Sequence, residues 1–220
     1  MQRPEFVPRP LEVPSPDRTL QLRRWAAILT AATIAWNAVE AVVAIGSGIQ
    51  ANSIALVGFG LDSVLEVASA LVIVWLLAAQ RRGSAAPELL ERRAVRAIAV
   101  TFGLVALYVS YESISTLAGF GQEAEPSRAG IVLLALSTVA MPTLAFLKRP
   151  IARQLKSPAL AADASNTQLC TYLSAAVLVG IGANAALGWW WLDSVAGLVV
   201  AGLASREGWI AWRSGEVCEC

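Results

Sequence analysis

Ser53-Ile54-Ala55-Leu56-Val57-Gly58-Phe59-Gly60-Leu61-Asp62-Ser63-Val64-Leu65-Glu66 opens an apolar run that continues to Ala79 without a single Lys or Arg. A helix needs about 20 mostly apolar residues to cross a hydrocarbon core of roughly 30 Å. This run is long enough, yet it holds two carboxylates. Asp62 and Glu66 are spaced i, i+4, which puts them on one helix face about one turn apart. Gly58 and Ser69 share that face, which is therefore small and polar rather than lipid-loving. A helix that spans a membrane and carries acids on one face belongs in a bundle with a polar interior.

The rest of the chain agrees. Of its 220 residues, 56% are hydrophobic and 15% charged, against about 25% charged in an average soluble domain. An ordinary soluble enzyme and a nucleic-acid binder that works by basic charge are excluded. Histidine is absent, which removes Ser-His and Cys-His nucleophiles and histidine metal ligands. No cofactor motif accompanies the acids, so no enzyme is expected. The three cysteines, at 170, 218 and 220, are too few for a disulfide scaffold.

Six apolar segments read as transmembrane helices: Trp25–Ile45, Ser53–Ala79, Ala94–Ala118, Ile131–Leu147, Pro158–Ile181 and Trp191–Ala204, the last extended by Leu203–Arg213. Residues 1–21, with Pro4, Pro8, Pro10, Pro14 and Pro16, read as a disordered arm. Residues 22–213 form the membrane domain and 214–220 a cysteine-containing tail. Of the 17 Lys and Arg residues, all but Arg128 fall in the arm, the 2–3 and 4–5 connections and the C-terminal end. The positive-inside rule then places both termini in the cytoplasm of a multi-pass plasma-membrane protein. Trp189, Trp190 and Trp191 mark the opposite interface.

Two segments correspond at an offset of 104 residues: Ser53-Ile54-Ala55-Leu56 with Asp62 and Glu66 downstream, and Ser157-Pro158-Ala159-Leu160 with Asn166 and Cys170 downstream. They lie three spans apart and so run in opposite directions, as in the inverted repeats of many transporters, whose substrate sites lie near the midplane. The expected fold is thus an all-α six-helix membrane bundle with a 3+3 inverted pseudo-repeat. Gly46 and Gly48 are placed just past helix 1, and Gly197 and Gly202 in helix 6, as points of close packing.

Seven acids fall in or beside the spans: Glu40, Asp62, Glu66, Glu112, Asp163, Asp193 and Glu207. No basic residue is expected at comparable depth, so protonation or a bound cation must compensate the buried ones. On the fifth helix Asp163, Asn166 and Cys170 form a stripe at i, i+3, i+7, with Thr167 beside them. Antiparallel helices crossing at their centres bring Asp62 and Glu66 opposite Asn166 and Cys170. Two carboxylates, an amide oxygen and a thiolate suit a four-coordinate divalent ion, zinc foremost, or cadmium or another thiophilic ion. Other readings stand beside this one. The acids could be a protonated, hydrogen-bonded pair, Asn166 an interhelical hydrogen bond, and Cys170 a small hydrophobe. Asp163 reads as an approach carboxylate or a helix-start polar group. Asn37 and Glu40 either line the cavity or make structural bonds. Glu112, Asp193 and Glu207 lie near span ends, where snorkelling needs no function. Cys218 and Cys220, with Glu216 and Glu219, could capture a soft metal or simply end a mobile tail.

At these residues the chain resembles the cation diffusion facilitator family of divalent-metal/proton antiporters. The resemblance spans roughly residues 36–213. It rests on Asn37-Ala38-Val39-Glu40, on Ser53-Ile54-Ala55-Leu56 leading to Asp62-x-x-x-Glu66, on Leu160-x-x-Asp163-x-x-Asn166-x-x-x-Cys170, and on Trp191-Leu192-Asp193-Ser194-Val195-Ala196-Gly197. It implies a metal efflux transporter whose ion is bound by one pair of residues on helix 2 and another on helix 5. Those four positions fall on Asp62, Glu66, Asn166 and Cys170. This chain departs from the family's His/Asp-x-x-x-Asp pattern in Glu66 and, more strongly, in Asn166 and Cys170. The family's usual cytoplasmic dimer-forming domain is expected to be missing, so a homodimer would rest on membrane helices and lipid. Metal ion and protons are the implied partners, with no nucleic acid. The alternative function is a membrane metal sensor or scaffold that binds without transporting.

Overall fold

The computed structural model describes residues 16–81, 87–155 and 158–214. These form six α-helices: α1 (Pro16–Gln50), α2 (Ile54–Arg81), α3 (Pro87–Leu117), α4 (Arg128–Leu155), α5 (Pro158–Leu187) and α6 (Trp191–Ser214). No strand occurs among the described residues. Residues 1–15 of the expected arm, Ser157 of the expected repeat, and Cys218 and Cys220 of the tail lie outside them.

The helices are longer than hydropathy suggests because polar residues continue them past the apolar windows. α1 begins at Pro16, inside the segment read as an arm. Proline is suited to the first helical position, where its missing N–H would be unpaired anyway, and Asp17 follows in the first turn, where the helix dipole favours an acid. At the other end α1 runs to Gln50, so Gly46 and Gly48 lie within it rather than beyond it. α4 continues past Leu147 through Pro150 to Leu155, which puts Lys148 inside a helix instead of in a connection. Pro142 also lies within α4, and neighbouring helices make such prolines tolerable in membranes.

Ends are closed by recognisable chemistry. Ser53 caps α2, its Oγ accepting from the Leu56 amide at 3.2 Å, and Ser127 caps α4, accepting from Gly130 N at 3.1 Å. Gly188, at φ +69°, ends α5 in the left-handed conformation that glycine adopts without a Cβ penalty.

Asp193 has a structural role that its sequence position does not announce. It is 1% exposed, not snorkelling at a span end. Its Oδ1 accepts from the Ser53 hydroxyl at 2.6 Å and its Oδ2 from the Ala55 amide at 3.3 Å. The start of α6 thereby holds the N-terminus of α2, the helix that carries Asp62 and Glu66. Asp193→Ala leaves a buried hydroxyl and amide without their acceptor, which costs roughly 1–3 kcal/mol. A lowered unfolding midpoint of the purified variant checks this.

α1 packs against α2 and α4, α5 against α4 and α6, and α3 against α6 and α2. α2 and α5 meet only narrowly. The core forms where Ala44, Leu56, Phe59, Leu134, Leu173, Val177, Ile181 and Val200 converge. Outward, large apolar side chains lie bare, among them Val42, Leu107, Val139, Phe146 and Val179. A bundle clothed in such residues has lipid as its solvent. Among the described residues, four segments carry an apolar window long enough to cross a membrane: Pro16–Gln50, Ala99–Leu117, Arg128–Leu155 and Asn166–Leu187. The chain is an integral, multi-pass membrane protein.

Candidate metal centre

Three acids or thiols expected to converge do so. One ligand atom from each of Asp62, Glu66 and Cys170 lies within 4.8 Å of the others. Asp62 and Cys170 are buried and Glu66 is half-buried. α2 supplies the carboxylates one turn apart, and α5 brings the thiol across the narrow α2–α5 contact.

Glu66 is the hub. Its Oε1 accepts from Asn166 Nδ2 at 2.7 Å and from the Cys170 thiol at 2.6 Å. Its Oε2 accepts from Asn37 Nδ2 at 2.5 Å. Three donors from two other helices thus converge on one carboxylate. Asn166 stands where expected, but it turns its NH2 group, not its oxygen, to Glu66. Presenting the amide oxygen to an ion requires a turn about the side chain's terminal torsion and the loss of the bond to Glu66. Asp62 accepts no hydrogen bond from a side chain among the described residues, so its oxygens are free to face a cation.

α1 contributes more than the spacing on α2 and α5 suggests. Asn37 is 3% exposed, and while its NH2 serves Glu66, its Oδ1 is buried without a partner among the described residues. A buried acceptor left unpaired is costly, and here it lies beside the cluster. Glu40 is fully buried. It accepts from Trp36 Nε1 at 2.7 Å and Ser63 Oγ at 3.3 Å, and Trp36 also reaches Ser137 Oγ at 3.3 Å. These bonds tie α1, α2 and α4 together next to Asp62. The structural-bond reading of Glu40 is thus met in the geometry.

Asp163 does not join the cluster. Its Oδ2 is 2.8 Å from Lys148 Nζ and accepts from Thr30 Oγ1 at 3.2 Å. Lys148 is fully buried and also donates to Thr167 Oγ1 at 3.1 Å. The expectation that no basic residue reaches the depth of the acids is therefore corrected. Lys148 was hidden in the sequence by the drop in hydropathy after Leu147, which reads as the end of a span. Of the remaining acids, Glu112 is half-buried and Glu207 pairs with Arg206 at 2.7 Å.

The arrangement is a polar core threaded through an apolar bundle: anionic and soft donors grouped at its centre, with amides around them. Such a group offers carboxylate and thiol donors that could hold a cation between α2 and α5. No curated protein matches the chain at a significant level. The family model described as the cation efflux transmembrane domain matches residues 30–214, a span that includes all six helices in whole or in large part and every residue of the cluster. The chain belongs to the cation efflux family and is a cation transporter of the cation diffusion facilitator kind.

Proposed function

We propose that the protein exports a divalent metal cation, zinc or a softer ion such as cadmium, in exchange for protons at the cluster of Asp62, Glu66 and Cys170, with Asn166 as fourth ligand. The observation that carries this reading is the mutual approach of three ligand atoms to within 4.8 Å on two facing helices. A carboxylate–thiolate–amide set favours zinc and thiophilic ions over hard cations. Asn37 Oδ1, buried and unpaired, is positioned to complete the coordination. A metal ligand must be deprotonated, so loading the ion releases protons and protons returning from the other side expel it. Apparent metal affinity is accordingly expected to rise with pH.

Six spans with both termini on the cytoplasmic side are supported by the basic residues. Arg18 near the start of α1 donates to Gln154 near the end of α4 at 3.3 Å, so these two basic regions lie at one end of the bundle. Trp189 and Trp191 stack with centroids 6.2 Å apart at the α5–α6 junction, as befits the opposite interface. A 3+3 inverted arrangement is supported by the helix neighbours: α1 with α2 matches α4 with α5, and α2 with α3 matches α5 with α6. Rocking of one half against the other would open the cluster alternately to the two sides. We place the protein in the plasma membrane, with any homodimer formed through its membrane helices.

Proteoliposomes with an imposed pH gradient test the reading directly. Zinc or cadmium flux that follows the gradient is the expected result; binding without flux would make the protein a sensor. Cys170→Ser is expected to lower cadmium and zinc affinity roughly tenfold or more while sparing manganese. An unaltered metal profile would remove Cys170 from the ligand set.

A further inference from the structure

Lys148 places its side-chain nitrogen within the bundle on α4, with no exposed surface. Its ammonium donates to Asp163 Oδ2 at 2.8 Å and to Thr167 Oγ1 at 3.1 Å. Thr30 of α1 donates to the same Asp163 oxygen at 3.2 Å. One carboxylate thus fastens α1, α4 and α5 together. Asp163 sits on α5 one turn before Asn166, and its side chain is 31% exposed while Lys148 is sealed. It therefore faces outward from the bundle on one side and the ammonium on the other. A cation travelling along the α5 stripe from the N-terminal end meets Asp163 before it meets Glu66 and Cys170.

We propose that Lys148 is a tethered cation that latches this approach: its ammonium holds the Asp163 carboxylate and keeps α1, α4 and α5 closed over the metal cluster, and an arriving divalent ion releases the latch by taking its place on Asp163. The exchange leaves the partly exposed Asp163 carboxylate paired with a positive charge before and after, while the buried Lys148 keeps its bond to Thr167 Oγ1. What the latch guards rests on the transport reading above; whether it closes does not.

Cys170 is a built-in reporter because it is 2% exposed behind the latch. In the full chain with Cys218 and Cys220 replaced by Ser, it is the one remaining thiol. Its modification by a charged, water-soluble thiol reagent is measured in detergent-purified protein of unchanged elution volume. K148M and D163N are each expected to raise the rate about tenfold or more, because labelling follows the population of the open form. K148R, which keeps the charge, is expected to retain the slow rate. An electrostatic effect on the thiol alone would drive K148M and D163N in opposite directions. Unchanged rates in both, a rise in only one, or K148R as fast as K148M would overturn the proposal. Should K148M not fold, D163N against D163E carries the same comparison, with slow labelling expected for D163E alone. The readout needs no metal, so absent cadmium flux in the unmodified protein would sink the transport reading without deciding the latch.

Discussion

Asp62→Ala is expected to abolish proton-driven zinc or cadmium flux while the protein remains folded. The two halves of that statement come from the same geometry. Asp62 contributes one of the ligand atoms grouped within 4.8 Å, and its loss leaves Glu66 as the one carboxylate of that group. Losing a directly coordinating carboxylate should weaken metal binding by at least the 10- to 100-fold, roughly, that follows loss of a mere supporting partner. Turnover falls with it, because the ion must be held at the centre to be carried. Folding should be spared, since no described side chain depends on Asp62 for a hydrogen bond. Removing the carboxylate also relieves the cost of a charge inside the membrane, about 2.5–3.5 kcal/mol on the insertion scale. Proteoliposome flux and the unfolding midpoint, measured on one preparation, check both halves. Flux at the unmodified rate would remove the cluster as the transport site. Glu66→Ala makes the useful contrast: it removes one acceptor from each of Asn37, Asn166 and Cys170, all donors to Glu66, and so should lose stability as well as flux.

How far the sequence carried this picture depends on how local each signal is. The pairing of Asp62 with Glu66 is a helical spacing, and the stripe Asp163, Asn166, Cys170 is another; both are legible because 3.6 residues per turn is all they need. The family resemblance reaches the same residues. Lys148 and Asp193 were misplaced for a shared reason. Each lies where hydropathy falls, and hydropathy marks where lipid contact ends, not where a helix ends or what a neighbouring helix covers. Lys148 is sheltered by α5, and Asp193 by the first turn of α2. Those facts exist only once α4 lies against α5 and α6 against α2. The same holds for the glycines. Gly48 and Gly197 meet neighbours tightly, whereas a Cβ on Gly46 or Gly202 would meet nothing within 4 Å. All four look alike in the sequence.

Gly60→Val is expected to prevent assembly of the bundle, while Gly46→Val is tolerated. A Cβ at Gly60 would stand 2.9 Å from the Ile45 backbone nitrogen and 2.7 Å from its Cγ1. From the facing helix, a Cβ at Gly48 would stand 2.9 Å from the Val57 nitrogen. α1 and α2 are therefore in backbone contact at two points, and a side chain can yield where a main chain cannot. Overpacking a core that can adjust costs roughly 1–3 kcal/mol; here relief requires the helices themselves to part. Their separation would also pull Asn37 from Glu66 and Glu40 from Ser63, so packing and the polar core fail together. The matched control is Gly46, on α1 only two residues before Gly48 but facing open space, where valine meets no clash and should gain a few tenths of a kcal/mol, roughly, in helix propensity over glycine. Aggregated or unrecoverable Gly60→Val beside monodisperse Gly46→Val is the expected pair of elution profiles. A monodisperse Gly60→Val with full metal binding would show that α1 and α2 need not touch for the cluster to form, and would leave α3, α5 and α6 to hold α2 in place.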